Sequence, residues 1–433
     1  MKGPAKGRCI GIWMCGAAFF LAIAQTGFAA EGGLPASEAF RQLRETLVSE
    51  KKRADWTAFL ASAERLRVFL NGSPASVLEV ARAQLELGRT DEALNEARHF
   101  VAMGQSHPVL DAPLFQPVRS AIDAHLSRNV AALSIAKPVI TLSDSGRLAE
   151  DIDYDSRSRR FFVTSILEHN IVALDAAGHS KVFADSPDHW PMMALKVDTA
   201  RRRLWVTEVA LDGFPGVAPV DSGRSVILEY HLDQGTLLAR YIGPPGSNLG
   251  DMVLTHHGDP IVSDGNGGGI YRLNAGTLQR IDHGDFISPQ TIALCAGDLH
   301  AFVPDYVRGI AELDLETGTA RWLPMENRHA LDGIDGLYCH GNSLIAVQNG
   351  TSPVRIVAFT LDASKATILK ETAIERATST LGAPTHGVIV GDTFFYIANS
   401  GWDAVDDHGA AKSAARLTPA IIMRASTASI VNR

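Results

Sequence analysis

The stretch "PIVSDG", Pro260 to Gly265, is an apolar β-run that ends in a small residue followed by an oxygen-bearing one. The same order recurs in "FFVTS" (161–165), "LWVTE" (204–208), "AFVPD" (301–305), "IAVQN" (345–349) and "FYIAN" (395–399). Each is preceded by another β-run: "EDIDYD", "MMALKVD", "DMVLTHH", "QTIALCA", "DGLYCH" and "HGVIVG". Each is followed by a third, among them "NIVALD", "GIYRLN" and "AIIMRA". Repeats of roughly forty to fifty residues with several strands apiece are the signature of a β-propeller. Six units predict six blades over residues 137–426. The sixth unit shows only three strands, while "KPVITLSD" (137–144) stands before the first without a partner. The simplest closure has that strand complete the sixth blade.

In such a blade the first strand starts, and the second ends, at the same mouth of the central channel. Glu150, Asp251, Asp335 and His386 are therefore predicted at this mouth, beside Asp264, Asp305, Asn349 and Asn399. A set of carboxylates and amides without thiolate suits calcium or magnesium, whereas zinc would want His and Cys. The alternative for each residue is a bond to exposed backbone or to channel water. His386 reads either as a general base or as a hydrogen-bonded structural residue. Two long connections open on the same mouth, residues 209–224 and 400–419; the second contains "WDAVDDH". "DGNGGG" (264–269) lacks the strand-to-helix setting of a phosphate loop, and no nucleophile elbow occurs.

Ahead of the repeats, Lys2, Lys6 and Arg8 precede the apolar run "CIGIWMCGAAFFLAIA" and then "TGFAA". This is the pattern of an export signal over residues 1–30, which predicts a periplasmic or secreted protein with no membrane span after cleavage. From 31 to 130 the apolar spacing is helical. In "SPASVLEVARAQLELGRTDEALNEARHFVAMGQ", Ser73-Pro74 starts a helix, Leu87-Gly88 closes it and Asp91 is placed to cap the next. Ala81, Ala93 and Ala97 are small where two helices would approach closely, and the stretch resembles one tetratricopeptide repeat. A lone unit of that kind must dock on neighbouring helices or on the next domain; it serves as a spacer or as a protein-binding surface.

The net charge of -8 gives no basic footprint for nucleic acid. Cys295 and Cys339 occupy matching points of neighbouring repeats. They are expected as buried free thiols, with one bridge as the alternative.

Taken together, "AEDIDYDSRSRRFFVTS", "GDMVLTHHGDPIVSDGNGGGIYRL" and "IDGLYCHGNSLIAVQNG" resemble blades of the superfamily that holds gluconolactonases, senescence-marker-type lactonases and paraoxonases. The resemblance implies a calcium ion held by Glu150, Gln290 and Asp335, with Asp335 also able to act as base. The family commonly has Asn where this chain has Gly250 and Gln290. The resulting expectation is a calcium-dependent hydrolase of lactone or related ester bonds. Asp335 and His386 would be catalytic, and Asp251, Asp264, Asn349 and Asn399 would hold a small-molecule substrate. The competing expectation is a non-catalytic binding protein for a small molecule, glycan or protein.

Overall fold

The strands at Arg160–Ser165, Arg203–Val209, Pro260–Asp264, His300–Asp305, Ser343–Gln348 and Thr393–Ile397 are the second strands of six antiparallel sheets set around a channel. The computed structural model describes residues 34–428 except 145, 176–177, 296, 325–328 and 413–416. The expected export signal lies outside the described residues.

Blades 1 to 6 have inner strands at Ala149–Asp155, Met192–Asp198, Leu249–Leu254, Ala293–Cys295, Gly336–His340 and Gly387–Val390. In blade 6 the outermost strand is Lys137–Thr141, which pairs with Ile421–Ser426, so the two ends of the propeller sequence close the ring. Leu133–Ser134 adds a short fifth strand to blade 5.

The sequence reads as continuous apolar runs because both faces of each blade are covered. Along His300–Asp305, Phe302 packs toward blade 5 with Leu337, Leu344 and Phe359. Its neighbours Ala301 and Val303 pack toward blade 3 with Ile261 and Ile270. Equivalent layers fill the remaining junctions, from Phe162 with Leu204 between blades 1 and 2 to Val163 with Ile397 where blade 6 meets blade 1.

Cys295 and Cys339 form a disulfide across the inner strands of blades 4 and 5, with Cα atoms 5.5 Å apart. This corrects the expectation of free thiols. Matching positions in adjacent blades bring two Cβ atoms within bridging range.

The preceding region is helical: α1 (Ala36–Lys52), α2 (Trp56–Phe69), α3 (Pro74–Glu86) and α4 (Thr90–Ala102), then short α5 (Gln116–Arg119) and α6 (Asp123–Asn129). Ser73 caps α3 by position and Gly88, at φ +73°, turns the chain after it. Ala81, Ala93 and Ala97 are fully buried between α3 and α4. Asp91 is not the cap: Arg89 holds that position and α4 starts at Thr90, which leaves Asp91 and Glu92 in the first turn, where their charge favours the helix N-terminus. Ile287 and Ala330, both from connections leading into inner strands, join the helical core. The helices thus lie on the mouth face, over blades 4 and 5.

The disulfide closes a separation of 44 residues. Replacing both cysteines by alanine should cost about 2–4 kcal/mol of stability on the chain-entropy account. Thermal unfolding with and without reductant checks this: reductant should lower the midpoint of the wild type and leave the double variant unmoved.

Candidate active site at the channel mouth

Inner strands expose one edge to the channel, and their N–H groups need acceptors. In blade 1 the alternating acids of "EDIDYD" provide them. Asp151 Oδ2 accepts from Leu195 N at 2.7 Å, Asp153 Oδ2 from Val197 N at 2.7 Å, and Asp155 Oδ1 from Thr199 Oγ1 at 3.0 Å. Asp151 is also paired with Lys196 Nζ at 2.6 Å. The pairing register slips between Ala149 and Ile152, and again between Leu249 and Asp251. Such bulges re-aim side chains; here they send Glu150 and Asp251 into the mouth.

Asp251, Asp335 and His386 converge there, with ligand-type atoms all within 4.8 Å of one another. Nδ1 of His386 faces the Glu150 carbonyl at 2.9 Å and therefore carries a proton. Nε2 lies 2.7 Å from Asp251 Oδ1. Thr291 donates to the same oxygen at 2.5 Å. Asp335 Oδ2 accepts from Asn349 Nδ2 at 2.7 Å. Glu150 Oε2 accepts from Trp402 Nε1 at 2.5 Å. The side chains of Glu150, Asp251, Asp335 and His386 are buried, although Asp335 as a whole residue is only half-buried.

Burial pushes the Glu150 carboxyl up to about 8, opposed by the nearby imidazole and reinforced by Asp335 and Asp251. Burial likewise raises Asp335 to about 7, with the negative charges of Asp251 and Asp151 adding to it. For His386 burial works the other way, yet Asp151, Asp335 and Asp251 outweigh it and raise its value well above the ordinary one. Three convergent buried carboxyl groups beside one imidazolium resist ionising together, and a divalent cation would favour their charged forms.

The expected site residues divide. Glu150, Asp251, Asp335, Asn349 and His386 come together at the mouth. Asp264 Oδ1 instead accepts from the N–H groups of Asn248, Asn266 and Gly267. Asn399 Oδ1 accepts from Ile421 N, and its amide donates to Thr418 and Pro419. Asp305, too, is consumed by four backbone N–H groups, those of Ile287, Ser288, Val307 and Arg308. These strand-end oxygens hold the loops that follow them. Gln290 turns its amide to Ser288, 3.1 Å away, and Thr291 one position later is the residue that faces Asp251. His386 has both ring nitrogens engaged, so it orients Asp251 and does not meet water directly.

Three contributors are not apparent from the repeat. Trp402 comes from the long connection of blade 6, which packs with that of blade 2 through Phe214, ring centroids 5.9 Å apart. The side-chain oxygen of Asn248 is buried on the same face without a partner. Lys196 enters only as the counter-ion of Asp151.

The fold and mouth define a six-bladed β-propeller with an internal acidic site. No family model matches the sequence, and no curated protein matches it. Among solved structures it is similar to a gluconolactonase from Xanthomonas campestris at 14% identity, covering 68% of this chain and 100% of that one with a TM-score of 0.45. It is similar also to the PQQ-bound aldose sugar dehydrogenase from Streptomyces coelicolor, at 12% identity, 68% and 98% coverage and a TM-score of 0.47. A third likeness is to virginiamycin B lyase from Staphylococcus aureus, at 15% identity, 67% and 98% coverage and a TM-score of 0.43. At these values none of them assigns a role to a residue of this chain.

Two outcomes follow from the geometry. Asp251→Ala should cost about 3–5 kcal/mol, because it strands the buried His386 cation. Denaturant unfolding should show Asp251→Ala and His386→Ala losing much less together than the sum of their separate losses. The second concerns pH. A carboxyl raised from 4.5 to about 8 binds more protons folded than unfolded between those values, so the stability tied to Glu150 falls as pH rises through that window. With chelator present, Glu150→Gln should gain stability relative to wild type from pH 5 to 8; equal pH profiles would contradict the assignment.

Proposed function

We propose that the chain is a hydrolase of lactone or related ester bonds that works with a divalent cation at the channel mouth, calcium being the first candidate. The convergence of Asp251, Asp335 and His386, with Glu150 beside them, carries this reading. The donor set fits: carboxylate oxygens from Glu150, Asp251 and Asp335, with the Thr291 hydroxyl beside Asp251. Oxygen donors of this kind also admit magnesium. When bound, such a cation polarises a carbonyl oxygen and makes water a stronger nucleophile.

Asp335 is the residue best placed to take the proton from water. Burial and the neighbouring carboxylates raise its carboxyl to about 7, and Asn349 fixes one of its oxygens. His386 and Thr291 hold Asp251 on its shared oxygen. The Trp402 indole, donating to Glu150, sets the position of that carboxylate and supplies an apolar wall beside a small-molecule substrate. Asp264 and Asn399 have no part in binding on this reading, since their oxygens are committed to the backbone.

The disulfide suits an oxidising compartment, in line with export through residues 1–30 to the periplasm or beyond. Among the described residues no helix is long and apolar enough to cross a membrane.

A second reading, a non-catalytic binding protein, is favoured by the internal satisfaction of the site: His386, Asp251 and Asp335 already have partners within the chain. Metal analysis and a lactone panel separate the two. The hydrolase reading expects one bound calcium, turnover abolished by chelator, and loss of more than a hundredfold in rate for Asp335→Ala. Calcium bound without turnover of any lactone would establish the binding protein. An Asp335→Ala variant with metal content and hydrolysis both unchanged would sink the mechanism.

A further inference from the structure

The helical region touches the propeller at a place with consequences for Asp335. Helix α2 ends at Phe69, and the last carbonyls of a helix need donors from elsewhere. Arg308, in the turn after the second strand of blade 4, donates from Nε to Phe69 O at 3.0 Å and from Nη1 to Asp285 O at 2.8 Å. Its guanidinium stands 4.9 Å from the ring centroid of Phe69 and 4.2 Å from that of Trp322, a cation held between a helix side chain and a blade side chain. Asn71 returns a bond to Arg308 O at 3.3 Å. Val307 packs into the core shared by α1 and α2. On the other side of the turn, Asp305 accepts the N–H groups of Val307 and Arg308 at 3.0 Å each.

Tyr306 sits in the middle of this clamped turn. Its hydroxyl donates to Asn349 Oδ1 at 2.9 Å. With its oxygen so occupied, Asn349 must present its amide nitrogen to the other side, where two acceptors wait: Asp335 Oδ2 at 2.7 Å and Pro384 O at 3.0 Å. Turned the other way, the amide would set its oxygen against a carboxylate. The backbone leaves little room for the assembly to shift. Gly333 N donates to Tyr306 O at 2.8 Å and Gly350 N to Gly333 O at 3.1 Å. A Cβ on Gly350 would fall 2.6 Å from both Gly333 Cα and the Tyr306 hydroxyl.

We infer that the helical region is a working part of the mouth: it fixes Arg308, Arg308 fixes the Tyr306 turn, and Tyr306 sets the orientation of Asn349 against Asp335. Arg308, Tyr306 and Asn349 are then positioning residues for the group that the proposed hydrolysis depends on. The functional meaning rests on that reading of Asp335, whereas the geometry does not.

The test compares crystal structures of the full chain and its Tyr306→Phe variant. Calcium titration calorimetry is run in parallel on wild type, Tyr306→Phe, Asn349→Ala and the double variant. The expected result is an intact propeller in which Asn349 no longer donates to Asp335 at 2.7 Å. Calcium affinity should fall by about five- to tenfold, the scale of one lost hydrogen bond. In the Asn349→Ala background, Tyr306→Phe should add nothing further. An unchanged Asn349–Asp335 bond, or the same additional loss with Asn349 already removed, overturns the inference. Arg308→Lys keeps the charge but not the fork, and should show the same loss to a lesser degree; it takes the place of Tyr306→Phe if that variant does not fold. If wild type takes up no calcium, the cation reading falls, and the crystal structures still decide the positioning.

Discussion

A ring of six blades leaves six inner strand edges facing a channel, and each edge carries N–H groups with no strand to bond them. Much of the polar chemistry of this protein answers that constraint. Asp151 and Asp153 reach across from blade 1 to the backbone of blade 2. Thr164, at the end of a second strand, donates to Met193 O, while Ser263 does the same for Gln290 O. Acids and hydroxyls are concentrated where blades converge because the backbone needs them there. The mouth cluster is what remains once those needs are met: Glu150, Asp251 and Asp335, too many carboxylates for the local cations, with His386 and Lys196 as partial compensation.

That distinction explains what the sequence could tell. The blade count, the closure by Lys137–Thr141 and the placement of Glu150, Asp251, Asp335 and His386 all follow from repeat phase, since the start of an inner strand has one location in the fold. The roles of Asp264, Asn349 and Asn399 do not follow from phase. All three end second strands with an oxygen in the same place, and only the neighbouring loop decides whether that oxygen caps a turn or meets another functional group. Asn349 is singled out by Tyr306, a residue forty-three positions away. Gln290 and Thr291 differ by one step along an extended segment, and a one-residue step reverses the facing of a side chain. Trp402 lies in a long connection with no periodicity to read. The free-thiol expectation failed for a related reason: equal repeat phase meant physical adjacency.

Placement of the helices on the mouth face also changes what the two halves of the chain mean for each other. The walls of the mouth are unlike. On the side of blades 4 and 5 they are built by helix ends and turns pinned through Arg308, and on the side of blades 1, 2 and 6 by the packed connections that carry Phe214 and Trp402. Asp335 follows the connection that includes Ala330, a member of the helical core.

Closure of the ring by Lys137–Thr141 against Ile421–Ser426 makes the last contact of the propeller one between residues nearly three hundred positions apart. During synthesis the helices emerge first, but the blades they rest on come much later. The strand that seals the sixth blade must wait until the final strand has left the ribosome. A chain wired in this way assembles late and as a whole, because contacts of such long range are slow to form. The ring itself stays unclosed until that last strand is available.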